Sequence, residues 1–257
     1  MTTIEYPGPP VPVNHIAPSP RRVRATIGDE VVLDTIHAVY LWEVPYFPAY
    51  YVPLADITKD VLVDENHEEK RKQGTARRFG LHTSAGDRPA AASVFTGDTL
   101  PGLQDMVRLR WDALDHWFEE DEEIFGHPRN PYSRVDALRS TRHIRVEKDG
   151  ILLAESSAPV ILYETGLPPR YYLDRTALNI GALERTDTVT LCPYKGRTSD
   201  YWAVRTPAGR YPDLAWSYAY PAAAVAAIAG LVAFYNEQVD ITVDGERLDR
   251  PVTPFSH

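Results

Sequence analysis

Polar and apolar residues alternate along most of the chain in short runs, the period of two that half-buried β-strands require. In residues 145–154, RVEKDGILLA, two such runs flank Asp149-Gly150, a dipeptide suited to the positive φ of a tight hairpin. Residues 24–34 repeat the pattern around Gly28-Asp29, and residues 239–248 around Asp244-Gly245. Further strands are predicted over residues 160–164, 188–192, 201–205 and 214–219, each bounded by Gly or Pro. Two segments carry helical spacing instead. Residues 103–118 place Met106, Leu109, Ala113, Leu114 and Trp117 on one helical face. Pro221 stands at a natural first helical position before the alanine-rich run reaching Ile228 or Val232.

The pattern occurs twice. Residues 19–57 laid over residues 140–178, at a constant offset of 121, match at nine of 39 positions. The identities include Arg24/Arg145, Leu41/Leu162, Glu43/Glu164, Tyr50/Tyr171 and Tyr51/Tyr172, and like replaces like between them, as in Val32/Leu153 and Trp42/Tyr163. Beyond this block the offset drifts, with Gly74 against Gly196 and Phe79 against Tyr201. The expected organisation is a Pro-rich, polyproline-like arm over residues 1–18, a first copy over 19–138 and a second over 139–253. The fold class is mainly β: two tandem small antiparallel β domains, each with one short helix.

Composition narrows the function. The net charge is −9, and the 27 Lys and Arg residues form no stripe able to track phosphates, so nucleic-acid binding is not expected. One cysteine, Cys192, excludes an internal disulfide and a paired-Cys zinc site and fits a reducing, cytoplasmic setting. No signal peptide is expected, and the apolar run 222–234, interrupted by Gly230, is too short to span a membrane. The absence of a P-loop, dinucleotide fingerprint and serine nucleophile elbow places phosphoryl and hydride transfer low. No metal and no cofactor are expected, the partner is a small-molecule ligand, and a homodimer stays open.

Candidate chemistry centres on Glu43 and Glu164, each ending an apolar strand seven and eight residues before its Tyr-Tyr pair. A carboxylate desolvated there suits a general base, whereas a turn contact or an arginine such as Arg24 or Arg145 would make it structural. His127, Arg129 and Tyr132 lie in the stiff segment HPRNPY before the second copy, with His127 or Tyr172 as acid and Arg129 or Lys195 as oxygen anchor. Tyr171, Tyr194, Trp202, Trp216 and Tyr218 are candidates to line a pocket, and Trp216, Tyr218 and Tyr220 alternate as if on one strand face; core packing is the competing account. Cys192 precedes Pro-Tyr-Lys-Gly, where Lys195 would stabilise a thiolate, although a lone cysteine ending an apolar strand is more often a small hydrophobe. The acidic run 119–123 reads as a solvated face or helix terminus, with His116 and Glu120 one helical turn apart.

The wording of the second copy, CPYKG at 192–196, YW at 201–202, AWSY at 215–218 and IAGLVAFY at 228–235, resembles the bacterial domain-of-unknown-function family 427, which also carries a nucleotidyltransferase-like label. The first copy is similar to the N-terminal half of that family's tandem, actinobacterial form, through RWD at 110–112, residues 117–123 and HPRNPY at 127–132. The resemblance implies a β-tent-like fold, an architecture that elsewhere hosts methionine sulfoxide reduction, metal-supported scaffolds and aromatic-cage binding, and it selects no reaction. The expectation is an acid/base enzyme of lyase, isomerase or hydrolase type, independent of metal, acting on a small organic substrate near the junction of the copies. The alternatives are a non-catalytic aromatic-cage or protein-interaction module and a Cys192 thiol-nucleophile enzyme.

Overall fold

The computed structural model describes residues 11–253 and 255–256. Its residues are 52% strand and 7% helix, so the protein is mainly β. They fall into two compact units, one ending at Tyr132 and the other starting at Ser133. The strand Val135–Arg139 pairs with Val160–Glu164, which puts the division six residues before the one read from the sequence.

The first unit has a four-stranded antiparallel sheet in the spatial order Glu122–Ile124, His116–Glu119, Val23–Ile27, Glu30–Thr35. The second repeats it as Glu246–Arg247, Asp240–Val243, Ile144–Lys148, Ile151–Ser156. Both central hairpins carry a register shift at the same place, between Ala25 and Thr26 and between Val146 and Glu147. An extra residue that recurs at the duplication offset is an inherited feature of the strand.

The other sheet of the first unit runs Ile16–Pro18, Val39–Leu41, Ala49–Pro53, Met106–Leu109, Gly86–Thr99, Gly74–Thr83, Leu62–Arg71. In the second unit the same order is Val135–Arg139, Val160–Glu164, Arg170–Tyr172, then across the Leu173–Val232 bridge to Val232–Phe234, Gly209–Ser217, Asp200–Thr206 and Leu183–Thr186. The alternation read from the sequence fills the cores. Val23, Ala25 and Ile27 are buried beside Val52, Val94, Val107 and Trp117 in one unit, and Ile144, Val146, Leu173, Val204 and Phe234 in the other.

The helices differ from expectation. Residues 103–118 form the strand Met106–Leu109, a 3₁₀ turn at Trp111–Ala113 and the strand His116–Glu119. Val107 pairs with both Val52 and Val94, and these long-range partners override a local spacing that fits either period. The alanine-rich run forms only 3₁₀ turns, Ala223–Ile228, kinked at Val225. Gly230, at φ 73°, then closes it by donating its N–H to the Tyr218 carbonyl at 2.8 Å. The Pro-rich arm lies outside the described residues up to residue 10; its last residues, Ile16–Pro18, form an edge strand paired with Val39–Leu41. Tyr220 does not share a face with Trp216 and Tyr218, because the strand ends at Ser217 and Tyr220 is 93% exposed while the other two are buried. Among the described residues no helix is long and apolar enough to cross a membrane.

Candidate functional site

The duplicated carboxylates occupy equivalent places and meet different cations. Glu43 takes a bidentate pair from Arg108, Nε at 2.6 Å and Nη2 at 2.9 Å, and the Tyr51 hydroxyl donates to it at 2.6 Å. Burial works against the charged form, but the Arg108 hydrogen bonds and charge outweigh it and hold the Glu43 carboxyl below the usual carboxylate range. Glu164, ending the strand Val160–Glu164, instead takes a short ion pair from the Lys195 ammonium, and both side chains are 11% exposed.

Strand register explains the exchange. Val107 opposes Val52, and Val232 opposes Leu173, the residue matched to Val52 in the duplication. Arg108 therefore corresponds to Ala233, and Ser93, which pairs with Arg108, corresponds to Trp216, which pairs with Ala233. The same register sets Phe79, opposite Ala92, against Trp202, opposite Ala215, one residue from the match read in the sequence.

Lys195 comes from a hairpin that the two copies build differently. In the first copy, Leu62–Arg71 and Gly74–Thr83 pair to the turn at Lys72-Gln73. In the second, the outer strand stops at Thr186 and the pairing resumes only at Leu191–Cys192 with Gly196–Arg197. Asp213 holds the interruption by accepting from Thr186 at 2.5 Å and Thr188 at 2.8 Å. The tip is fixed by the Ala222 N–H donating to the Lys195 carbonyl at 3.1 Å, and Gly196 supplies φ 94°. Pro193 and Lys195 are buried, Tyr194 and Cys192 half-buried.

Around the ion pair stand two buried phenols and the thiol. Trp216 Nε1 donates to the Tyr172 hydroxyl at 3.2 Å, and the Tyr172 proton has no acceptor among the described residues. Burial pushes Tyr172 up to about 12 against the opposing pull of Lys195. Tyr218 is raised by burial and then by Tyr172, Cys192, Tyr201 and Glu164; its hydroxyl makes no hydrogen bond among the described residues. Burial pulls Lys195 down, but Glu164 and then Cys192 and Tyr172 outweigh it, so the ammonium is held charged. At neutral pH the cluster therefore presents one fixed cation and two neutral phenol donors, arranged beside a carboxylate.

The remaining candidates are placed as follows. His127 and Arg129 belong to the first unit. The His127 ring stacks on Phe47 at 4.1 Å with Nδ1 2.7 Å from the Pro128 carbonyl, and Arg129 lies 3.9 Å from Glu119. Tyr132 is half-exposed with its ring 5.7 Å from Trp42. Tyr171 is buried in the second core, and Trp202 carries the Arg175 guanidinium 5.2 Å from its ring centre. The ring enclosure formed by Trp216, Tyr235 and Phe255 is filled by the chain's own Arg170, which is paired with buried Glu237 at 2.6 and 2.7 Å. Arg24 and Arg145 contact neither Glu43 nor Glu164; they bind Asp121 and Glu147.

The acidic run is a hairpin between His116–Glu119 and Glu122–Ile124 rather than a helix terminus. Glu119 is buried, accepts from the Tyr50 hydroxyl at 2.6 Å and pairs with Arg21, while His116 Nδ1 lies 2.6 Å from Glu123. Among the described residues no group of three or more His, Cys, Asp or Glu is arranged to hold a metal. Sequence reasoning missed Arg108, because its partner lies 65 residues away, and missed the Arg170–Glu237 pair, separated by 67. Only register, not spacing, reveals either.

A family profile described as a domain of unknown function (DUF427) matches the chain twice, over residues 15–120 and 136–245. No curated protein matches the chain.

Proposed function

The chain belongs to the DUF427 family in a form with two consecutive copies of its domain, and since that membership brings no activity with it, we propose one from the chemistry of the second copy. The reading is a site that binds a small organic molecule through an oxygen atom and moves a proton on it. Its support is one observation: the carboxylate that the first copy locks to an arginine is joined in the second to a buried lysine, beside two phenols with free protons.

Arg108 takes both Glu43 oxygens and Tyr51 donates its hydroxyl proton to the same carboxylate, so the Glu43–Arg108 pair is a structural tie. Around Glu164 the roles separate. The Lys195 ammonium and the Tyr172 hydroxyl hold a carbonyl or carboxylate oxygen and stabilise charge that develops there. Glu164 is the base that takes a proton from the carbon adjacent to the carbonyl, the electron pair moving onto the held oxygen, and Tyr218 or Tyr172 returns a proton. Such chemistry serves an isomerase or a lyase; in a hydrolase Glu164 would instead take the proton from the attacking water. His127 and Arg129 are not needed for it.

Cys192 supports a second reading, because it lies close enough to Lys195 to help hold the ammonium charged and its thiol is free and half-buried, the setting of a lysine-assisted nucleophile. The test is a thermal-shift screen of small carboxylic acids and carbonyl compounds, since a ligand that binds only the folded state raises its melting temperature. A hit should stabilise the wild type, fail on the neutral pair Glu164→Gln/Lys195→Met, and persist in Cys192→Ala. Turnover lost in Cys192→Ala at unchanged stability would replace the acid/base reading with the thiol one.

A further inference from the structure

The hairpin that carries Lys195 also presents Arg197, two residues on, on the outside of the second unit. Val189, Arg197, Thr198, Ser199 and Tyr220 line a groove of about 290 Å³ there. That lies near the lower end of small-molecule pockets, which run from about 300 Å³ upward.

Arg197 is an exception in its own chain. Every other arginine except Arg139 has a carboxylate within salt-bridge distance; Arg197 has none among the described residues. In a chain of net charge −9 this guanidinium is thus one of two that lack a carboxylate partner among the described residues. The groove's own hydroxyls do not occupy it. Thr198 bonds to Thr190, accepting from its N–H at 2.8 Å, and Ser199 bonds to Asp200 and the Ser217 carbonyl at 3.2 Å. The nearby carboxylate, Asp200, is already held by Arg175 and Arg185.

Tyr220 supplies the second element. Its ring is 93% exposed and makes no ring contact or hydrogen bond among the described residues, so one aromatic face and one hydroxyl are open beside the cation. Gly196 brings the two together: a Cβ there would lie 3.7 Å from the Tyr220 carbonyl and the Ala222 nitrogen, so the hairpin tip runs against the Tyr220 segment.

We propose that this groove is a ligand site, distinct from the Glu164 cluster, that takes a planar aromatic monocarboxylate. The guanidinium fork donates to both carboxylate oxygens, and Tyr220 stacks on the ring. One cation neutralises one negative charge, which favours a monoanion over a phosphate dianion in so acidic a protein.

Ligand-observed NMR titration of the full chain with benzoate, benzamide, acetate and phenyl phosphate tests the assignment. Saturable benzoate binding is expected, with benzamide, acetate and phenyl phosphate each weaker. Arg197→Gln and Tyr220→Ala, both at exposed positions, should weaken benzoate on the order of tenfold at unchanged melting temperature, as loss of a charge-assisted pair implies. Binding in Glu164→Gln/Lys195→Met should be unchanged, which separates this site from the acid/base reading. Absence of saturable binding, equal affinity in Arg197→Gln, preference for phenyl phosphate, or loss in the Glu164/Lys195 variant would each overturn the proposal.

Discussion

Glu43 and Glu164 show how one carboxylate acquires two fates from its neighbour. Removing the first leaves Arg108 half-enclosed without its partner, so Glu43→Gln should cost about 1–3 kcal/mol. The pH dependence follows from the sign of the shift. Glu43 sits below its ordinary range in the folded protein, so its contribution is complete above the unfolded value of about 4.3 and is lost as pH falls through the folded one. Chemical denaturation of wild type and Glu43→Gln should therefore differ at pH 7 and converge in strong acid; a constant gap across that range would refute the pairing. Two other residues test burial alone. Trp42 Nε1 is buried without a hydrogen-bond partner among the described residues, and the buried Tyr40 hydroxyl, which interacts with that of Tyr50, makes no hydrogen bond of good geometry, so Tyr40→Phe should be near neutral, within about 1 kcal/mol. A melting temperature several degrees lower would show that the hydroxyl is engaged.

Among the elements, the hairpin ending at Lys195 is where the copies part. Its glycines give a graded prediction. At Gly74, φ 139°, an added Cβ would meet the Asp98 carbonyl oxygen at 2.5 Å and Thr99 Cα at 2.6 Å, both backbone atoms that cannot swing aside. At Gly196, φ 94°, the nearest atoms are 3.7 Å away. Gly74→Ala should thus destabilise clearly more than Gly196→Ala, whose cost is on the order of 1 kcal/mol from backbone conformation. Equal melting temperatures for the two variants would contradict these contacts. The hairpins at residues 24–34, 145–154 and 239–248 were legible because period and turn residues are local signals. The helix expected over 103–118 was not, because Val107 is held by Val52 and Val94 from distant parts of the chain. Glu164, Lys195, Tyr172 and Cys192 were each readable as candidates, but their meeting depends on a hairpin broken at Thr186 by Asp213, a side-chain bond that no spacing announces.

Across the whole molecule the two units share strand order and bulge position yet not their chemistry. The duplication carried the strand order over, apart from the hairpin broken after Thr186, and substitution at a few paired positions, Arg108 to Ala233, Ser93 to Trp216 and Gln73 to Lys195, changed what surrounds the matched carboxylate. On the function proposed above, the first copy is the structural member and the second the one that binds. The most direct test is a parallel ligand screen by thermal shift on two variants, each with one pair neutralised: Glu164→Gln/Lys195→Met in the second copy and Glu43→Gln/Arg108→Met in the first. The account predicts that compounds stabilising the wild type, other than those lost in Arg197→Gln, still stabilise the first-copy variant and no longer shift the second-copy one. Retention of those shifts in the Glu164/Lys195 variant, or their loss in the Glu43/Arg108 variant alone, would contradict it.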